Sequence, residues 1–122
     1  MTMAGTGVQI ALMTAPDAAT AERIVRTLLD ERLIACGNIL PGVTSLYRWE
    51  GAVQRDAEVL VIMKTTEQAA AVLLERAPSL HPYDVPELLL LPVGNGHDAY
   101  LDWVFDSVSG PAGDGRHEAE PV

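Results

Sequence analysis

The residues most able to do chemistry lie in the short stretch HPYDVPE at positions 81–87. His81 offers an imidazole nitrogen, a ligand that suits Cu(II), Zn(II) and Ni(II). Asp84 and Glu87 offer carboxylate oxygens three residues apart, and the two prolines of the stretch restrict the backbone that carries them. The pattern predicts metal ligands held in a stiff loop. It is also compatible with a histidine that hydrogen-bonds a structural turn and with two solvated acids.

The single cysteine, Cys36, lies in the apolar stretch LIACGNI. Its thiolate is a strong ligand for Cu(I), and together with His81 it would form a mixed sulfur–nitrogen site. The alternative is that Cys36 is a small buried hydrophobic residue of a strand. The chain has neither the H-x-x-x-H nor the C-x-x-C spacing that marks a dense metal site. Both interpretations stay open at this level.

A second set of residues is predicted to line a cleft or an interface. Tyr47 and Trp49 stand near a predicted hairpin tip, where aromatic side chains either anchor a partner or fold back on their own chain. Glu50 and Glu58 are oxygen ligands in principle. Lys64 ends an apolar strand, where it either pairs with one of these acids or protects a sheet edge. The predicted cleft or interface residues are Tyr47, Trp49, Glu50, Lys64, Tyr83 and Trp103.

Composition and motifs exclude several classes of function. No G-x-S-x-G motif and no glycine-rich phosphate loop occurs, so we predict that the protein is not an enzyme. The formal net charge of −9 repels phosphate groups, which argues against nucleic acid and anionic lipid as partners. No apolar run approaches the ~20 residues that cross a bilayer. A lone cysteine and the lack of a basic segment near the start of the sequence predict a cytoplasmic protein.

Four strands and three helices are predicted to position these side chains in a chain of 122 residues, a length that fits one domain. The first helix is expected to begin at Thr14 as its cap and to end near residue 33. The second is expected to begin at Thr65, with Gln68 reaching back, and to fray at Pro78. The predicted strands are 7–13, 33–40, 43–50, 52–65 and 88–93, and the third helix is 99–108. The segments 33–40 and 43–50 are parts of one strand, interrupted at Pro41 and Gly42 by a turn, bend or bulge.

The predicted order is βαββαβ followed by a C-terminal helix. This is an α+β class, and its simplest form is the ferredoxin-like sandwich, in which two helices cover one face of a four-stranded antiparallel sheet. Residues 7–108 are assigned to this domain and 1–6 to a flexible N-terminus. Residues 109–122, rich in Gly, Pro and charge, are assigned to a disordered tail.

Three separated stretches resemble a known family: ACGNILPGVTSLYRWEG, EVLVIMKT, and HPYDVPE followed by YLDWV. In this order they are similar to the CutA family of divalent-cation tolerance proteins, over roughly residues 7–108. The resemblance implies a ferredoxin-like fold, a tight homotrimer and a cytoplasmic bacterial setting. It also implies a role in copper and divalent-metal homeostasis, and an architecture related to the PII-like signalling trimers. Gly37 and Asp84 depart from the family, which commonly has an apolar residue such as Val at the first position and Glu at the second.

Two functional hypotheses follow. The first is a cytoplasmic homotrimer that binds copper or another divalent cation in clefts between subunits, through Cys36, His81, Asp84 and Glu87. The alternative is a PII-like signalling or scaffold trimer that binds a small metabolite or a protein, with indirect effects on metal tolerance.

Overall fold

The computed structural model describes residues 5–108 of the chain. In chain order the elements are β1 (Val8–Ala15), α1 (Ala18–Asp30), β2 (Cys36–Trp49), β3 (Ala52–Thr66), α2 (Glu67–Leu80), β4 (Leu88–Pro92) and α3 (Asp98–Ser107). This order confirms the predicted ferredoxin-like plan with its C-terminal helix. The predicted tail 109–122 and residues 1–4 of the predicted flexible N-terminus lie outside the described residues.

The strands form one antiparallel sheet in the order β2-β3-β1-β4. The central strands β1 and β3 pair from Val8 with Thr66 to Ala15 with Val59. Because side chains alternate along a strand, odd-numbered residues of both strands share one face. That face is buried against α1 and α2 and includes Ala11, Met13, Ala15, Val59, Val61 and Met63.

Helix α1 covers the sheet with an apolar stripe at helical spacing, made of Ala21, Ile24, Val25 and Leu28. The helix is capped by Asp17, whose carboxylate accepts a hydrogen bond of 2.7 Å from the backbone N–H of Thr20. The predicted cap, Thr14, is wrong because β1 continues through it to Ala15.

Helix α2 begins one residue later than predicted. Its cap is Thr66, whose hydroxyl accepts from the backbone N–H of Ala69, whereas the predicted cap Thr65 points into the core. There the Thr65 hydroxyl donates to the Leu33 carbonyl at 2.7 Å, so it is not available to the helix. The helix passes through Pro78 and ends at Leu80, where His81 turns into extended backbone.

The second strand also starts later than predicted, at Cys36, because Leu33, Ile34 and Ala35 are buried residues of the loop that precedes it. The predicted interruption at Pro41 and Gly42 is confirmed, and of the three forms left open the structure shows a bulge, since the β2–β3 register shifts between Leu40 and Val43. Beyond the bulge, residues 43–49 and 52–58 form a long hairpin arm. Glu50 and Gly51 close its tip with positive φ angles of 51° and 81°.

The sheet face opposite α1 and α2 is apolar and partly exposed. It carries the even-numbered residues of the central strands and their neighbours on β2 and β4. Its apolar members are Ile10, Leu12, Leu40, Leu60, Ile62, Leu89 and Leu91, of which Leu40, Leu89 and Leu91 are exposed. Within residues 5–108, no helix has the length and apolar character needed to cross a membrane.

Candidate functional site

An open groove of about 710 Å³ lies between the hairpin arm and the loop 81–87. Four carboxylates line it: Asp56 and Glu58 on β3, and Asp84 and Glu87 on the loop. No Lys, Arg or His is among the described residues that line the groove. A concave wall with several like charges and no counter-charge raises the local concentration of ions of the opposite sign. The groove therefore suits a positively charged ligand.

The pleat of the hairpin arm brings one tyrosine and two of the groove's carboxylates to one face. Ser45 pairs with Asp56, and Tyr47 pairs with Gln54. Because alternate residues share a face, Tyr47, Asp56 and Glu58 all stand on the same side of the arm. This side continues the even-numbered, partly exposed face of the sheet, so the groove is the polar end of an otherwise apolar surface.

Two tyrosine hydroxyls hold two of the four carboxylates. The Tyr47 hydroxyl donates to Asp56, and the Tyr83 hydroxyl donates to Glu58 at 2.7 Å. The Asp56 hydrogen bond raises the pKa of Tyr47 above its ordinary value. Partial burial, followed by the Glu58 hydrogen bond, raises the pKa of Tyr83 well above its ordinary value. Both phenols therefore stay protonated near neutral pH and act as donors that orient the acids.

His81 stands behind the groove and does not line it. Only 8% of the residue is exposed. Its Nε2 lies 2.8 Å from the carbonyl oxygen of Thr14, and its Nδ1 accepts from the backbone N–H of Tyr83 at 3.1 Å. Since a carbonyl only accepts, this network assigns the proton to Nε2. Both ring nitrogens are thus engaged inside the chain.

Asp84 and Glu87, the two predicted carboxylate ligands, do line the groove, and both are exposed. Within residues 5–108, however, no group of three or more His, Cys, Asp or Glu side chains is arranged to hold a metal ion. One chain therefore provides several acids around an open space and no complete coordination set.

Cys36 lies away from His81 in the same chain. It pairs with Lys64, which pairs in turn with Ile10, four residues before Thr14 on β1. At ~3.3 Å per residue this offset is about 13 Å along the strand. The Cys36 Sγ instead lies 3.5 Å from the Tyr100 hydroxyl, and burial followed by this contact raises the pKa of Tyr100 to about 12. The structure does not bring the predicted sulfur and nitrogen ligands together within one chain.

Lys64 does not protect a sheet edge. It lies on β3, an interior strand, so that interpretation is wrong. Its ammonium group donates to the Asn38 side-chain oxygen across the β2–β3 pair. Within one chain, the hydrogen-bond partner of Lys64 is therefore an amide and not the expected acid.

The remaining predicted cleft residues separate into two places. Tyr47, Trp49 and Tyr83 line the groove, and Glu50 stands at the nearby tip of the hairpin. Trp103 instead lies on α3, where it lines a smaller cavity of about 270 Å³ and packs against Tyr100 with ring centroids 5.5 Å apart.

The sequence analysis missed Asp56, and it did not include Glu58 among the four predicted metal ligands. A usable signal was present: Gln54, Asp56 and Glu58 are polar at alternate positions of a strand whose later alternate positions, Leu60 and Ile62, are apolar. Such a change along one face marks the point where a strand leaves an apolar surface.

Known proteins match both the sequence and the fold. The model of the CutA1 divalent ion tolerance protein family matches residues 9–107. A divalent-cation tolerance protein CutA from Citrobacter koseri is 50% identical over 99 residues, which are 81% of this chain and 86% of the relative. The protein of the same name from Thermus thermophilus is 48% identical over 99 residues, 81% of this chain and 96% of the relative.

A solved structure agrees with these matches. The divalent cation tolerance protein Cut A1 from Thermus thermophilus superposes with a TM-score of 0.81 and 46% identity, covering 83% of this chain and 98% of that one. The family match covers most of the chain, and the fold, the hairpin arm and the loop 81–87 all fall inside it. The chain therefore belongs to the CutA1 divalent ion tolerance protein family.

Proposed function

We propose that the protein is a homotrimer that binds divalent cations, copper among them, in clefts between its subunits. The observation that carries the proposal is the groove, with four carboxylates and no basic side chain among its described lining residues. The relatives are named for divalent-cation tolerance, and a site that collects cations is the chemistry such a role needs. Binding would be stoichiometric and without turnover.

The incomplete coordination set supports a site shared between subunits. Within residues 5–108 no three ligand side chains meet, so a tightly held ion needs further ligands from a second copy or from a groove that closes on binding. The family resemblance supports three copies, and each groove would then be completed by a neighbour.

Exposed apolar side chains beside the groove support the same arrangement. Trp49 is 50% exposed and Leu46 is 67% exposed, and both line the groove. Leu89 and Leu91 are exposed on β4, at the other edge of the sheet. Exposed apolar side chains next to a polar site are typical of a protein–protein interface. Packing of copies against these side chains would bury them and enclose the carboxylates.

Copper is the cation that we expect to bind most tightly. Divalent first-row metals follow an affinity order that peaks at Cu(II) for sites of nitrogen, oxygen and sulfur ligands. We assign the oxygen ligands to Asp84 and Glu87, as predicted, and add Asp56 and Glu58. Cys36 and His81 would contribute from the same chain only after a rearrangement, because they lie apart and are each engaged.

We also propose a cytoplasmic location, supported by the single cysteine, which is free. The signalling or scaffold alternative is not favoured, since the matched family and the relatives are described by divalent-cation tolerance.

The test is a titration of the purified protein with Cu(II) and Zn(II), with the mass of the assembly measured for each sample. The variants are Asp84→Asn combined with Glu87→Gln, and Glu58→Gln. Glu75→Gln is the matched control, because Glu75 is an exposed acid on α2 outside the groove. We expect saturable binding near one ion per subunit, lost in the groove variants and kept in the control. Weak binding that all variants share would contradict the proposal.

A further inference from the structure

The loop histidine has a geometry that a ligand role does not explain. We propose that His81 is a positioning residue of the groove: it fixes Tyr83, and through Tyr83 it fixes the Glu58 carboxylate that faces the cation. The inference rests on the proposed function for its effect on cation affinity, and on the fold alone for its effect on Tyr83 and Glu58.

Both ring nitrogens of His81 already take part in hydrogen bonds. A metal ion needs an available lone pair on Nδ1 or Nε2. The Nε2 proton points to the Thr14 carbonyl at 2.8 Å, and the Nδ1 lone pair receives the Tyr83 N–H at 3.1 Å. Binding a metal at either nitrogen would break one of these bonds inside a residue that is nearly buried. The groove does not reach the ring, since His81 is not among its lining residues.

The backbone on both sides of His81 is restrained. His81 follows the last residue of α2, and its own N–H donates to the Pro78 carbonyl at 3.1 Å. Pro82 keeps the preceding backbone extended, in agreement with φ −88° and ψ 141° at His81. Because Pro82 has no N–H, the next donor in the chain is that of Tyr83. The sequence His-Pro-Tyr thus places Nδ1 and the Tyr83 amide in register.

Tyr83 connects His81 to the groove. The rings of His81 and Tyr83 pack with centroids 4.7 Å apart and planes inclined by 53°. The hydrogen bond from the Tyr83 backbone N–H and the contact between the two rings together orient the Tyr83 side chain. Its hydroxyl reaches across to β3 and donates to Glu58 at 2.7 Å. His81 therefore links the end of β1, the loop and β3, and the last group in this path lines the groove.

Three variants separate the two hydrogen bonds of His81. His81→Asn keeps an acceptor close to the Nδ1 position, and an asparagine oxygen readily accepts from the N–H two residues later. His81→Gln keeps a donor near the Nε2 position for Thr14 but offers no acceptor at the Nδ1 position. His81→Leu keeps neither. If the Tyr83 bond is the one that matters, His81→Asn retains most of the cation affinity, while His81→Gln and His81→Leu lose about tenfold or more.

A double-variant cycle tests the path itself. His81→Leu and Tyr83→Phe would act on the same Glu58 carboxylate, so their losses of Cu(II) affinity should be strongly non-additive. If His81 were a ligand, the two losses would add and His81→Asn would lose as much as His81→Leu. The unfolding free energy and the assembly mass of each variant identify any loss that comes from misfolding. Either of those two results in a folded variant would overturn the proposal.

Nuclear magnetic resonance gives a readout that a metal-bound histidine would not share. In the Zn(II)-saturated protein, imidazole ¹⁵N shifts should show that His81 keeps its Nε2 proton and that neither nitrogen is coordinated. A change of either nitrogen to a metal-bound shift would overturn the proposal.

A last experiment needs no cation and keeps the inference separate from the proposed function. We expect the Tyr83 amide to be protected from hydrogen exchange in the wild type and in His81→Asn, and exposed in His81→Gln. Contacts between the Tyr83 ring and Glu58 should follow the same pattern. Should the wild type bind no cation, the proposed function fails and this result still decides whether His81 orders the pair. Equal protection and equal contacts in all three proteins would overturn the inference.

Discussion

At the scale of single residues, Gly37 shows how one side chain's absence allows close packing. A Cβ built on Gly37 would lie 2.9 Å from one methyl group of Val25 on α1 and 3.2 Å from the other. Val25 is buried and β-branched, so its side chain has little freedom to move aside. The glycine therefore lets α1 approach β2 closely. A larger apolar residue at position 37 would overlap the side chain of Val25.

We predict that Gly37→Ala lowers the free energy of unfolding by about 1–3 kcal/mol, the usual result of overpacking a core. In a Val25→Ala background the same Gly37→Ala change should lower the free energy of unfolding by less, because the two methyl groups that the new Cβ meets are absent. Denaturant unfolding of the two single variants and the double variant measures the coupling. Additive losses would show that the close contact is not the cause.

The role of His81 is the clearest example of what residue types alone do not reveal. Its position in HPYDVPE predicted a ligand, and Asp84 and Glu87 from the same stretch do reach the groove. The orientation of the imidazole depends on Thr14, which lies 67 residues earlier in the chain. A sequence pattern confined to residues 81–87 cannot include a contact with Thr14. The orientation of the imidazole is therefore visible only in the folded structure.

At the scale of elements, the apolar periodicity was sufficient for the order and type of every helix and strand of the described chain. Element ends were less predictable, because caps depend on which residue leaves the sheet last. Asp17, rather than Thr14, caps α1, and Thr66, rather than its neighbour Thr65, caps α2. In the second case adjacent threonines have the same local propensity, and only the burial of Thr65 in the core decides between them.

The contact between the two sheet-covering helices includes an ion pair whose strength depends on pH. Arg76 on α2 makes hydrogen bonds of 2.7–3.2 Å to the carboxylate of Glu31, the residue after α1. These bonds lower the pKa of Glu31 below its usual value of 4.5. A carboxyl with a depressed folded-state pKa adds stability above the unfolded pKa, and this stability is lost as the pH falls through the folded value.

We therefore predict that Arg76→Gln is less stable than the wild type at pH 7, and that the gap closes as the pH falls from about 5 to about 3. The effect should be modest, since both side chains are more than one third exposed. Urea unfolding at a series of pH values measures it. Arg26→Gln, which breaks the more exposed pair with Glu22 within α1, is the control and should change less. A gap that persists unchanged at pH 3 would exclude the ion pair as its source.

In the whole molecule, the two faces of the sheet differ in how far they are buried. One is buried by α1 and α2, while the other keeps Leu40, Leu89 and Leu91 exposed and ends at the acidic groove. The position of this surface follows from strand alternation, and its extent was not visible from composition. An apolar face that leads into a polar cleft is the arrangement expected of a subunit that completes its site by assembly.

We predict that Trp49→Ser weakens the proposed trimer while each subunit stays folded. Loss of a tryptophan that anchors an interface commonly costs about 2 kcal/mol or more, so the concentration at which this trimer dissociates should rise by at least about tenfold. Sedimentation over a range of concentrations measures this change. Leu74→Ser is the matched control, because Leu74 is an exposed apolar residue on α2 and should leave the assembly intact. Equal masses for both variants at every concentration would place Trp49 outside the interface.

We have proposed that cations bind in the groove where subunits meet. Crystals grown with Cu(II) and measured at the copper absorption edge give the most direct test, because anomalous scattering locates the ion without assuming its ligands. We predict one strong peak per subunit within coordination distance of Asp84, Glu87 or Glu58, with a neighbouring copy closing the site. Copper found only elsewhere on the protein, with these carboxylates far from any peak, would contradict it.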